Sequence, residues 1–244
     1  MRYSRILIKL SGGAIAADEG FGFDHDRLGH IAEELLSVTK LGVQVGIVIG
    51  GGNIFRGNMA DTWGIERVEA DNIGTLATVV NSLMLRGVLK AKTDREVRVM
   101  TSVPINAVAE PYIRLRAIHH LEKGYIVIFA GGNGQPYVTT DYPSVQRALE
   151  TRSEAIFVAK HGVDGVFTGD PRLDREARLY RSVSYQDVIR EDLRVMDQSA
   201  IILARDHGLP LHVFNFEQKG TMRRICDGED LGTRIAPGVA TELV

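Results

Sequence analysis

Lys9-Leu10-Ser11-Gly12-Gly13 closes an apolar run that begins at Arg5. Glycines let backbone N–H groups come close to an anion, and the lysine sets a point charge beside them. A second stretch, Gly50-Gly51-Gly52-Asn53, leaves the run Ile47-Val48-Ile49 and continues as Ile54-Phe55-Arg56-Gly57. Three consecutive glycines cost more backbone entropy than a tight turn warrants, whereas an anion nest with Arg56 beside it explains them. The third stretch, Gly131-Gly132-Asn133-Gly134-Gln135-Pro136, follows a run ending at Ala130, and Thr139-Thr140-Asp141 then open a helical pattern. Taken alone, Asp141 reads as a helix N-cap. Three glycine loops with separate cations suggest several phosphates bound at once. Phosphoryl transfer needs that arrangement, because its catalysis is mostly positioning and neutralisation of charge.

Two other nucleotide signatures are missing. There is no G-x-x-x-x-G-K-[ST] and no G-x-G-x-x-G opening a helix after the first apolar run, which disfavours a P-loop protein and a dinucleotide-binding dehydrogenase. Val163-Asp164-Gly165-Val166-Phe167-Thr168-Gly169-Asp170-Pro171 reads as a β-turn entering a proline-ended loop. Asp164 and Asp170 could equally organise a nucleotide or its Mg²⁺. The seven histidines show no metal-ligand spacing. The single cysteine, Cys226, excludes an internal disulfide and reads as a half-buried thiol on a late helix in a reducing compartment.

The elements that must position these loops follow from hydrophobic patterning. Arg5 to Leu10, Val43 to Gly50, Val97 to Thr101, Tyr125 to Ala130, Glu154 to Ala159 and Leu211 to Phe214 read as strands buried on both faces. Leu28, Ile31, Leu35 and Leu36 mark one helical face; Ile73, Leu76, Ala77, Val80, Met84 and Val88 mark a longer one. This rhythm predicts an α/β fold, a three-layer α/β/α sandwich on a mainly parallel sheet. The 244 residues fit one domain, with lobes of about 1–150 and 151–244 where charged loops become denser. Hydrophobic residues at 44% allow a real core, and a net charge of −2 invites neither nucleic acid nor an anionic membrane. Strand-sized apolar runs and a start without a leader pattern predict a soluble cytoplasmic protein.

Together these residues resemble the bacterial UMP kinases of the amino acid kinase family. The match runs from Arg5-Ile6-Leu7-Ile8-Lys9-Leu10-Ser11-Gly12 nearly to Gly232-Thr233-Arg234-Ile235. It includes Gly20-Phe21-Gly22, Val48 to Gly57, Ala70 to Thr78, Thr139-Thr140-Asp141, Val163 to Phe167, Val195-Met196-Asp197 and Leu203 to His207. The resemblance implies ATP-dependent phosphorylation of UMP by in-line transfer, with Mg²⁺ bound mainly through ATP phosphates and water. It implies catalytic roles for Lys9, Arg56 and Asp141, Lys9 neutralising charge on the moving phosphoryl group and Asp141 ordering the cations. The ATP site would use Lys9, the Leu10, Ser11 and Gly12 main chain, Gly52, Arg56 and His161, with Phe167 and Asp170 holding adenosine. The UMP site would use Gly51, Asp71 and the loop Gly132, Asn133, Gly134, Gln135, Pro136, Tyr137, Val138, Thr139 and Thr140. Asp71 would accept hydrogen bonds from the ribose, since a carboxylate takes two hydroxyl donors. The resemblance also implies a homohexamer built on the helix from Asp71 to about Ala91, and GTP or UTP as effectors near Arg86 and Arg98.

Departures from the family pattern cluster at the same loops. Gly13 replaces a usual glutamate, the loop at Asn133 is one residue longer, Tyr142-Pro143-Ser144 replace small residues, and Ala159-Lys160-His161-Gly162 replace Lys-Ala-Thr-Lys. They leave open another acceptor, or a nucleotide-binding storage or regulatory protein without turnover. Lys9, Arg56 and Asp141 weigh against the latter; Asp71 and the Thr139-Thr140 loop weigh against a small-acid acceptor.

Overall fold

The computed structural model describes residues 2–244. The first half runs β1 (Arg5–Leu10), α1 (His25–Thr39), β2 (Gln44–Ile49), α2 (Gly57–Trp63), α3 (Arg67–Lys90), β3 (Val97–Thr101), β4 (Glu110–Pro111), α4 (Arg114–Glu122) and β5 (Ile126–Ala130). The second half runs α5 (Asp141–Glu150), β6 (Ala155–Lys160), β7 (Tyr180–Val183), α6 (Tyr185–Arg190), α7 (Gln198–Asp206), β8 (Leu211–Asn215), α8 (Thr221–Asp227), β9 (Thr233–Ile235) and β10 (Glu242–Leu243). All strands join one sheet in the order β10-β7-β9-β8-β6-β1-β2-β5-β3-β4. The pairings from β8 to β4 are parallel, while β9 against β8 and β10 against β7 are antiparallel.

Strand alternation divides the core. Ile6, Ile8 and Leu10 face a cluster with α1, α3 and α8, whereas Leu7, Val48 and Val127 face one with α4, α5, α6 and α7. The result is a three-layer α/β/α sandwich. The six strands read from the sequence are present with ends shifted by no more than about one residue, because buried hydrophobic runs leave little freedom. The long helix corrects the expectation. It starts at Arg67 rather than Asp71, since Ala70 packs against Phe55 and Ala60 and Arg67 pairs with Asp71 one turn on. Cys226 is fully buried rather than half-buried, and burial pushes its thiol up to about 12, so it is a packing residue.

His212 on β8 is buried beside Phe157, and the Tyr3 hydroxyl lies 2.7 Å from its Nε2. Burial, with the charges of Arg2 and Arg234, lowers its pKa to about 3. A folded-state pKa below the ordinary 6.5 means that the unfolded chain binds the proton more readily. The stabilisation is therefore complete above pH 6.5 and is lost as pH falls toward 3. Urea melts should show a loss of about 2 kcal/mol between pH 6.5 and 4.5 that is absent in His212→Asn. Equal pH slopes in both proteins would refute the assignment.

Candidate active site

β1 has β2 on one side and β6 on the other, and the chain builds outward from β1 through β2 before it crosses to β6, so β1 lies where strand order reverses. In parallel sheets, that crevice beyond the strand C-termini is where ligands bind. Lys9, one residue from the end of β1, reaches into it. Its Nζ lies 2.6 Å from Asp141 Oδ1, and both side chains are largely shielded, at 12% and 15% exposure. Asp141 is the first residue of α5 rather than its N-cap, which is Thr140. Its Oδ2 accepts from the Asp197 N–H at 3.0 Å, Asp197 in turn accepts from the Thr139 hydroxyl, and Thr139 Oγ1 accepts from the Asp141 N–H at 3.1 Å. The carboxylate is thus fixed on two sides and holds the Lys9 ammonium in place.

A second lysine completes the cluster. Lys160 ends β6, the neighbour of β1, and its Nζ donates to Val195 O at 2.7 Å. Desolvation first, then repulsion from Lys9, lower its pKa to about 8, with Asp141 opposing. In the sequence Lys160 stands out only as part of the departure Ala159-Lys160-His161-Gly162. The available signal was a lysine at the end of a doubly buried strand. Because kcat/KM reports free-enzyme ionisations, kcat/KM for ATP should fall as pH rises through about 8, and Lys160→Arg should carry the plateau beyond pH 9. A wild-type profile flat to pH 9.5 would refute it.

The glycine loops fit one another closely. A Cβ on Gly12 would stand 2.5 Å from Gly52 N and 2.9 Å from Gly50 O, and one on Gly51 would stand 2.7 Å from Gly74 O. Gly52, with nothing within 4 Å of such a Cβ, has open space beside it. Helix α3 fastens two of the loops: Asn81 Nδ2 donates to Gly50 O at 2.6 Å, and Thr78 Oγ1 accepts from the Gly131 N–H at 2.8 Å. Asn53 and Asn81, both fully buried, exchange amide hydrogen bonds of 3.1 and 2.6 Å. Thr78 and Asn81 were missed from sequence; polar residues three apart on an otherwise apolar helix were the clue.

A cleft of about 900 Å³ opens over this floor and brings together Ser11, Arg56, Lys160, His161, Phe167 and Asp170. Arg56 is tethered by Nε to Gly52 O at 2.8 Å, by Nη2 to Gly20 O at 3.1 Å, and by stacking over Phe21. His161 Nδ1 lies 3.0 Å from Glu217 Oε1. The side chain of Leu10 is wholly buried in the core, so only its main chain faces the crevice. Asp164 accepts from Asn215 Nδ2 at 3.1 Å, which favours the turn reading for it, while Asp170 lines the cleft.

On the other side of the loops stands the segment 132–140. Both Asp71 oxygens lie 2.9 Å from Arg67 Nε, and Oδ2 also accepts from the Tyr137 N–H at 2.7 Å. Tyr137 has φ +64° and is held by this bond and by the Arg67 guanidinium over its ring. Asn133 Oδ1 accepts from the Gln135 N–H at 3.2 Å. Gly134, Gln135, Tyr137 and Thr139 are exposed; Gly132, Asn133, Pro136, Val138 and Thr140 are half-buried.

Fold and site define an α/β protein whose closely packed glycine-rich loops lie beside Lys9, Asp141 and Lys160 at the C-terminal ends of adjacent parallel strands. Comparison with known proteins agrees. The amino acid kinase family matches residues 4–215. Uridylate kinases of Frankia casuarinae and Frankia alni are each 60% identical over 96% of this chain and 91% of their own length. The crystal structure of UMP kinase from Bacillus anthracis superposes with a TM-score of 0.97 at 66% identity, covering all of both chains. UMP kinase from Ureaplasma parvum superposes at 0.89 with 31% identity, over 97% of this chain and all of that one. The chain belongs to the amino acid kinase family.

Proposed function

We propose that this protein transfers the γ-phosphoryl group of MgATP to UMP, giving ADP and UDP. The observation that carries the reading is the Lys9–Asp141–Lys160 cluster, set between a nucleotide-sized cleft and the 132–140 loop, in a chain 60% identical to uridylate kinases over most of its length. ATP occupies the cleft, with Phe167 against adenine, Asp170 on the adenosine, and the Ser11, Gly12 and Gly52 main chain on the phosphates. UMP lies against Gly51 and the 132–140 loop. Its phosphate oxygen is already ionised at neutral pH, so attack needs no strong general base.

Lys9 and Lys160 neutralise charge as it spreads over the moving group, and Asp141 keeps the Lys9 ammonium in line. Among the described residues no group of three His, Cys, Asp or Glu side chains is placed to hold a metal. The Asp141 carboxylate is already taken by Lys9 and the Asp197 N–H. We place Mg²⁺ on the ATP phosphates, entering as part of the substrate. Ribose binding at Asp71 requires its hydroxyls to replace or join Arg67 and the Tyr137 N–H.

The finer features are proposals of the same reading. Residues 1–150 act as the acceptor lobe and 151–244 as the donor lobe. Ile73, Leu76, Val80 and Met84 form an exposed apolar stripe on α3 that supports self-association into a hexamer. Effector triphosphates such as GTP or UTP would meet Arg86, bonded to Val108 O, and Arg98, between Glu96 and Glu110. No helix among the described residues is long and apolar enough to cross a membrane, and we place the enzyme in the cytoplasm.

The test is ADP release from MgATP across UMP, CMP, dTMP, AMP and GMP. Turnover on UMP well above the others is expected. Preference for another acceptor would transfer the assignment to that nucleotide. ATP binding without turnover on any acceptor would overturn the enzymatic reading in favour of a storage or regulatory protein.

A further inference from the structure

Arg147, two turns into α5, is the buried cation that the mechanism above leaves unused. It is 5% exposed. Its two terminal nitrogens are divided: Nη1 lies 2.6 Å from Glu150 Oε2, and Nη2 donates to Gly132 O at 3.1 Å. The guanidinium stacks on Tyr112, Cζ standing 3.9 Å from the ring centroid, and the Tyr112 hydroxyl donates to the same Glu150 oxygen at 2.5 Å. Such a fork, stacked and reaching two separate acceptors at once, needs arginine rather than lysine.

The bond to Gly132 sets the orientation of a peptide. In a trans peptide the carbonyl and the following N–H point opposite ways. Ser102 Oγ lies 2.6 Å from Gly131 O and 3.0 Å from Gly132 O, its single proton shared between them, and the Gly134 N–H donates to Gly131 O at 2.9 Å. With both carbonyls drawn inward, the N–H groups of Gly132 and Asn133 turn outward. Among the described residues neither has a hydrogen-bond partner. Gly131 and Gly132, at φ +74° and +54°, supply the left-handed backbone this needs.

We propose that Arg147 is a positioning residue for the acceptor: by holding the Gly132 carbonyl, it presents the Gly132 and Asn133 N–H groups to an anionic oxygen of the acceptor nucleotide. It also ties that loop to the helix whose first residue is Asp141. The proposal rests on the reading that the 132–140 loop binds UMP, and the tests separate the two.

Arg147→Lys keeps a charge for Glu150 but lacks the second arm. It should raise KM for UMP about tenfold, with kcat and KM for ATP within about twofold. Tyr112→Phe removes the Glu150 bond without touching Gly132; it should lower the thermal midpoint and leave KM for UMP unchanged. A structural role alone would give the reverse: Arg147→Lys melting earlier with an unaltered KM for UMP, or Tyr112→Phe raising that KM equally. Either result overturns the proposal. If Arg147→Lys does not fold, Ser102→Ala removes the other donor and should raise KM for UMP about threefold; no change there also overturns it. Thr139→Ala probes the loop itself. An unchanged KM for UMP in that variant would overturn the acceptor reading and this proposal together. A raised KM there, with Arg147→Lys silent, would overturn only the role of Arg147.

Discussion

Replacing Lys9 by alanine is expected to lower kcat with MgATP and UMP by about three orders of magnitude, at the upper end of what one preorganised cationic donor contributes. The reason is geometric. The ammonium is shielded, 2.6 Å from a carboxylate that is itself fixed by the Asp197 N–H, so no reorganisation is needed as charge builds on the moving group. Water cannot replace a cation so placed. The same variant should affect Lys160. Repulsion from Lys9 is one cause of its lowered pKa, so removing Lys9 should shift the alkaline fall in residual kcat/KM for ATP upward. A kcat within tenfold of wild type in a folded Lys9→Ala protein would exclude a catalytic role for the lysine.

Gly12→Ala is expected to be comparably damaging for a different reason. The added methyl would stand 2.5 Å from Gly52 N, 2.8 Å from Asn53 Oδ1 and 2.9 Å from Gly50 O. Two of these three atoms are main chain, and the third belongs to a buried amide pair, so nothing can swing aside. The first and second glycine loops must separate, which on the proposed binding mode displaces donor and acceptor phosphates from each other. Misplacement by about 1 Å costs on the order of a hundredfold in rate. We expect kcat/KM for both substrates to fall at least that far, with a lower thermal midpoint. Gly13→Ala supplies the contrast: its Cβ would meet only Ser11 Oγ, at 3.8 Å, and its kinetics should stay within about threefold of wild type. Equal effects at the two positions would show that loop contact does not matter.

The strands that carry the site could be read from sequence because they are buried on both faces. Continuous hydrophobic runs such as Ile126–Ala130 have few other uses. The glycine loops were legible because three adjacent glycines are conformationally costly anywhere else. Short elements were not. β4, β9 and β10 have two or three residues each, and the polar helix α2 carries no periodic stripe. Side-chain networks that topology closes across the chain were also hidden. Nothing near Lys160 in sequence tells that β6 lies beside β1, and nothing near Arg147 tells that its fork ends on Gly132. The buried Asn53–Asn81 pair belongs to the same class. Local chemistry can be read from composition and spacing, whereas the partners that orient it depend on the order of strands in the sheet.

The central claim, one direct transfer between nucleotides bound on either side of the Lys9–Asp141 pair, is tested most directly by a single-turnover rapid quench with γ-labelled ATP and excess UMP. The account expects label to pass from ATP to the β-phosphate of UDP in one phase, matched by ADP, with none on the protein. Label trapped on the protein before UDP forms, or released as inorganic phosphate without UDP, would contradict it.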